Sequence, residues 1–158
     1  MQTVKDITEA FSKIAGNHAQ INSFRTSSFD EIAAEKLGVA NYPMLYAQCT
    51  SAEINGGYTE FDFDVIIASY LIEEKHEKND GMTDIYSQLL LVLQDVIAAF
   101  SLSASGATGS ADSSWGLDLP IICEPFTARF TDMLTGWSST FTVRIPNSIN
   151  LCDAPFSA

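Results

Sequence analysis

The stretch MLYAQCTSAEINGGYTEFDFDVIIASYLI, Met44 to Ile72, decides the fold. Two strand-like runs flank Asn55-Gly56-Gly57, a hairpin turn signal. Pro43 ends any helical tendency ahead of it, because the residue before a proline avoids the α region. Side-chain chemistry then selects the register. A two-residue loop, Asn55-Gly56, would set Leu45 opposite Ile66, Ala47 opposite Asp64 and Cys49 opposite Asp62. A three-residue loop, Asn55 to Gly57, sets Leu45 opposite Ile67, Ala47 opposite Val65 and Cys49 opposite Phe63. The second register keeps apolar residues together and is preferred.

The returning strand has two unlike faces. Phe61, Phe63, Val65, Ile67 and Leu71 share one, with Ser69 among them. The other begins with Glu60, Asp62 and Asp64 and turns apolar at Ile66, Ala68, Tyr70 and Ile72. One end of that second face can meet water; the other end needs a cover.

Working outward, Ile85, Leu89, Val92, Leu93, Val96, Ile97 and Phe100 recur at steps of three and four, which predicts a helix over Met82 to Phe100. Asp80 or Thr83 is placed to cap its start. Leu90 and Leu91 broaden the stripe and imply burial on more than one side. A run of mostly Ser, Gly and Ala from Ser101 to Ser110 marks its end. Upstream, Val4, Ile7, Phe11 and Ile14 predict a short amphipathic helix stopped by Gly16 and Asn17. Ser28 to Glu31 has capping-box spacing, and Phe29, Ile32, Ala33 and Leu37 form the face of a second short helix. Ile21 and Phe24 fall in a connector.

Downstream, Leu117 to Cys123 reads as a strand, with Pro125 breaking the run. Asp132 to Gly136 reads as a turn, and Trp137, Ser139, Phe141, Val143 and Ile145 alternate with polar residues up to Pro146. Phe126, Phe130, Trp137, Phe141 and Val143 are expected to share one face against a helix. Arg129 and Arg144 point outward, where they can pair with the hairpin acids within a subunit or between two. Helices and strands are segregated. The fold class is therefore α+β, a single domain over residues 1–158: an antiparallel sheet carrying two short N-terminal helices and one long central helix.

Composition bounds the function. Twenty acidic and eight basic residues give a net charge of −12, so no basic patch offers itself to nucleic-acid phosphates. The apolar runs read as too short to span a bilayer and the N-terminus has no signal-peptide pattern, so a soluble protein made in a cytoplasm, with no membrane partner, is expected. Cys49, Cys123 and Cys152 are odd in number and widely spaced, against a disulfide framework or a zinc site. Glu60-x-Asp62-x-Asp64 lacks the glycine and glutamate of a calcium loop, with Val65 and Leu71 in their places. His18 and His76 read as surface histidines. There is no nucleophile elbow, phosphate loop or dinucleotide fingerprint. The expectation is no enzyme, metal or cofactor.

Several segments together resemble small phage neck and tail-completion proteins of the tail-terminator type. They are His18 to Phe24, Ser28-Phe29-Asp30-Glu31-Ile32, Tyr42-Pro43-Met44-Leu45-Tyr46 and Phe61-Asp62-Phe63-Asp64-Val65. Asp84-Ile85-Tyr86-Ser87 with Leu89, and Phe130-Thr131-Asp132 leading to Gly136-Trp137, complete the set. The resemblance implies a structural subunit of a virion that forms a ring, often a hexamer, at the neck or the head-proximal end of the tail. Its neighbours would be other neck and tail proteins, and DNA would pass without sequence-specific binding. In that setting Ile66, Ala68, Tyr70 and Ile72, with Arg129 and Arg144, are candidate subunit contacts. Asp62 and Asp64 would line the lumen or meet a neighbour's arginines. The alternatives are a small domain holding an apolar ligand between helix and sheet, or an enzyme with an unrecognised site.

Overall fold

A computed structural model describes residues 3–26, 41–70, 80–104, 115–129 and 134–147, with the side chains of 80–82, 103–104 and 128–129 excepted. The elements are α1 (Val4–Asn17), β1 (Ser23–Arg25), β2 (Met44–Ile54), β3 (Tyr58–Tyr70), α2 (Asp80–Ala104), β4 (Gly116–Leu117), β5 (Cys123–Arg129) and β6 (Leu134–Pro146). The six strands form one sheet in the order β1-β2-β3-β6-β4, with β5 also on β6. The class is α+β, as the segregated pattern implied. The second short helix expected after Ser28 lies outside the described residues.

The sheet is mixed rather than antiparallel. Ser23–Arg25, in the expected connector, pairs in parallel with Met44–Tyr46. Parallel neighbours need a crossover of about a dozen residues or more, and the chain between Arg25 and Met44 is long enough to supply one. Three residues are too few for a legible alternation, so β1 leaves no periodic signal.

The central hairpin has the preferred register in its core half: Leu45 opposite Ile67, Ala47 opposite Val65 and Cys49 opposite Phe63. It reaches that register differently at the tip. A bulge at Thr50 shifts the pairing by one, so that Ser51 faces Asp62 and Ile54 faces Thr59. The turn is closed by the Asn55 N–H donating to the Tyr58 carbonyl at 2.9 Å, around Gly56 and Gly57. The extra residue sits inside the strand, not in the loop.

Both helices pack on one face of this sheet. Helix α1 buries Ile7, Phe11 and Ala15. Its start is held by Asp6, whose carboxylate accepts from the Thr3 backbone N–H at 2.7 Å and the Thr3 hydroxyl at 2.9 Å. Those bonds lower the Asp6 pKa, the backbone one most. Helix α2 buries Leu89, Val92, Leu93, Val96 and Phe100, while Leu91 is 61% exposed, so it has one buried side rather than several. It begins by Asp80, which puts Thr83 inside it rather than at its cap, and it runs to Ala104, into the small-residue segment. By length and composition alone Thr83–Leu102 is enough to cross a membrane, against the expectation that no run reaches that size. Here its apolar stripe covers the sheet.

Phe11 lies at the centre of this layer. Its ring stacks on Phe100 of α2 at 4.6 Å and meets Phe63 of β3 at 5.7 Å and Phe141 of β6 at 5.6 Å. Phe100 in turn stacks on Trp115 at 5.5 Å. Two polar contacts add to the packing. The Trp137 indole N–H donates to the Tyr86 carbonyl at 2.9 Å. His18 accepts the Gln20 N–H on Nδ1 at 3.1 Å, so Nε2 carries the proton toward the Asp95 carboxylate at 3.2 Å. His18 is thus a half-buried tie between α1 and α2, not a lone surface histidine; His76 lies outside the described residues.

Two features of the late strands differ from expectation. Strand β6 starts at Leu134, so Leu134 to Gly136 is strand rather than turn, and Pro125 lies within β5, where an outer strand tolerates a missing N–H. Register also sets Pro125 opposite Trp137 and Phe126 opposite Gly136. Phe126 therefore faces away from the helices, while Phe141 and Val143 are fully buried beneath them and Trp137 packs at their margin. Phe130 lies outside the described residues. The peptide bonds before Pro43 and Pro120 are cis.

Gly136 allows a close backbone approach between β6 and β3. A Cβ built there would lie 1.8 Å from the Ile67 carbonyl oxygen. Gly136→Ala should therefore push β3 and β6 apart and destabilise the chain by about 3 kcal/mol or more, as severe overpacking does; a melting temperature within a degree of wild type would contradict the strand contact. Phe141→Ala leaves a cavity beside Phe11 and Phe100 and should cost about 3–5 kcal/mol in urea unfolding. A loss below ~1 kcal/mol would mean that Phe141 is not buried as described.

Candidate interaction face

The sheet face away from the helices is divided in two. Over its first half lie Tyr42, Met44, Tyr46, Ile66, Ala68, Phe126 and Leu134, all buried, with Tyr70 packed against them. No helix side chain belongs to this cluster among the described residues. The strand was expected to need a cover at this end, and it has one within the chain: Ile66 is 8% exposed and Ala68 is 0% exposed. Tyr70 is half-buried and meets Tyr42 edge-on at 4.6 Å. Ile72 lies outside the described residues. Of the four apolar residues proposed for a subunit contact, two are therefore inaccessible in the single chain.

The second half, toward the hairpin tip, is polar. Glu60 pairs across β6 with Arg144, Asp62 with Thr142 and Asp64 with Thr140. The Asp62 carboxylate accepts from the Ser51 hydroxyl at 2.8 Å and the Thr142 hydroxyl at 2.7 Å. The bulge brings Ser51 opposite Asp62 for this contact. Arg144 donates from Nε to Glu60 at 2.7 Å, and its Nη2 lies 2.9 Å from Asp118. The guanidinium also sits 5.4 Å from the centre of the Tyr58 ring. Glu60 first, then Asp118, raise the Arg144 pKa above its ordinary value. Its partners are thus Glu60 and Asp118 of its own chain. Arg129 pairs through its backbone with Leu134, and its side chain is outside the described set.

Beside Asp64 the face opens into a groove of about 530 Å³. Ile66 and Thr140 lie on its sheet side, Pro120 and Ile122 on its outer side, and Asp64 and Glu124 bring two carboxylates to it. Ile122 is 75% exposed and neighbouring Leu119 68%. Residues 118–122 are not strand, so the single strand expected over Leu117 to Cys123 is instead the end of β4 and the start of β5 with this rim between them. A break at Pro120 followed by Ile122 and Glu124 at strand spacing is the signal that was there to use.

Among the described residues no group of three metal-ligating side chains comes together. Burial raises the thiol pKa of both Cys49 and Cys123, so neither is poised as a nucleophile. No protein-family model matches this chain, and no curated protein matches it.

Arg144 ties β4 to the hairpin through Asp118, whose N–H donates to the Thr142 carbonyl at 3.0 Å. Arg144→Met should leave the fold intact and speed amide hydrogen exchange at Leu117 and Asp118 relative to Phe141. Equal exchange in both proteins would show that the ion pair does not hold β4.

Proposed function

We propose that this chain is a structural subunit of a phage virion, assembling as a ring, a hexamer in the simplest case, at the neck or the tail-terminator position. The observation that carries the reading is the row Glu60, Asp62 and Asp64 on a solvent-reaching strand face, where Arg144, the cation opposite Glu60, is already committed to carboxylates of its own chain. A ring presenting such a face to its lumen repels DNA phosphates and lets the duplex pass without adhesion. The resemblance of the hairpin, α2 and late-strand segments to neck and tail-completion proteins supports the same assignment. Adjacent neck and tail proteins are the partners, and the virion is the location.

Burial of Ile66 and Ala68 moves the proposed contact away from the middle of the apolar half. Tyr70, Ile72 and Arg129 remain candidates for it, with the polar half of the face. An apolar ligand between helix and sheet has less support, because Phe11, Phe63, Phe100 and Phe141 occupy that layer.

Stoichiometry in an assembled particle tests the assignment. Quantitative mass spectrometry with cryo-electron microscopy should find a closed ring of this chain around the DNA path. Isolated copies, or absence of the chain from particles, would overturn it.

A further inference from the structure

We infer that the groove beside Asp64 receives the β1 edge of a second copy of this chain, with Arg25 entering between Asp64 and Glu124. The inference rests on the ring reading and names the contact it would use. Three observations carry it.

The first is the groove itself. Among the described residues, neither the Asp64 nor the Glu124 carboxylate has a hydrogen-bond or ion-pair partner, although the acids beside them do. Ile122 stands exposed on its lining, and exposed apolar surface of this kind marks contact sites.

The second is where cations are available. Lys5 pairs with Glu9, and Arg144 with Glu60 and Asp118, while Lys13 lies on α1, which packs on the other face of the sheet. Arg25 is exposed and has no carboxylate partner among the described residues. Its register opposite Tyr46 puts it on the same sheet face as Asp64.

The third is topology. Strand β1 is one edge of the sheet, and β4 and β5 form the other. A contact joining opposite edges is head-to-tail, so each copy offers an edge to one neighbour and a groove to the next. Closure of such contacts makes a ring. With a net charge of −12, two copies repel overall, so a local match of Arg25 with two open carboxylates decides which surfaces can meet.

The test uses the full chain in sedimentation velocity over a wide concentration range. Wild type should self-associate. Arg25→Glu should weaken association by about tenfold or more, and so should Asp64→Lys with Glu124→Lys, as breaking a close interfacial charge pair does. Mixing the two defective proteins should restore assembly, because each then offers the charge the other needs. Circular dichroism and melting temperature, expected to match wild type, keep misfolding from counting as support. Self-association unaffected by either reversal, or no rescue on mixing, overturns the Arg25 contact while leaving the ring to be decided in particles. A wild-type chain that stays monomeric at every concentration overturns it as well. Rings found in particles after any of these results would show that the ring reading stands on another contact.

Discussion

The contact on which the rest of the structure depends is the aromatic group centred on Phe11. One ring on α1 touches one on α2, one on β3 and one on β6. These elements are far apart in sequence, so no local propensity brings them together. Burial of large aromatic surface does, at roughly 1.5–3 kcal/mol for a phenylalanine side chain taken out of water. Because Phe63 and Phe141 sit directly opposite each other on β3 and β6, the same group also fixes how those two strands pair. A slip of one residue between the strands would put the two rings on opposite faces. Register and helix docking are thus one constraint.

That constraint leaves the opposite face free to be built differently, and it is. Odd-numbered residues of β3 and β6 belong to the helix layer. Even-numbered ones are apolar near Ala68 and Leu134 and polar toward Glu60 and Arg144. The bulge at Thr50 lies close to the change from one chemistry to the other. It lets the core half keep apolar matching with β2, and it turns Ser51 onto the polar face where Asp62 needs a donor. Without it, Thr50 would stand opposite Asp62 and each tip residue would change face.

Much of this was legible because it is periodic. Alternation in the hairpin gave the core register, and three-and-four spacing gave both described helices. What was missed has no period or depends on long-range pairing. Strand β1 is too short to alternate. Leu91 looks like core on composition, and only its angle on the helix shows that it faces water. Phe126 alternates correctly within its own strand, yet its face depends on pairing with β6, which places it opposite Gly136. For the candidate site, the acidic and apolar halves of the β3 face were visible in sequence. The pairing of Arg144 with a hairpin acid was legible as well, and within the chain that acid is Glu60; Asp118 as its second partner and the cover over Ile66 were not, since both depend on distant segments. Glu124 and Ile122 join Asp64 only once β5 is laid against β6.

The scarcity of positive charge gives these placements their weight. In a chain with twenty acids and eight bases, an acid is ordinary and a cation is informative. Arg144 is held by two carboxylates and an aromatic ring, and this fastens the short β4 to the tip of the hairpin. Exposed ion pairs add little stability, but they orient side chains and choose which surfaces tolerate each other. Because Arg144 is spent inside the subunit, the polar half of the face keeps an excess of negative charge toward its groove. A surface of that kind repels phosphates and repels its own copies, except where a neighbour brings a cation. With so few bases, any contact between copies of this chain would have to run through very few side chains.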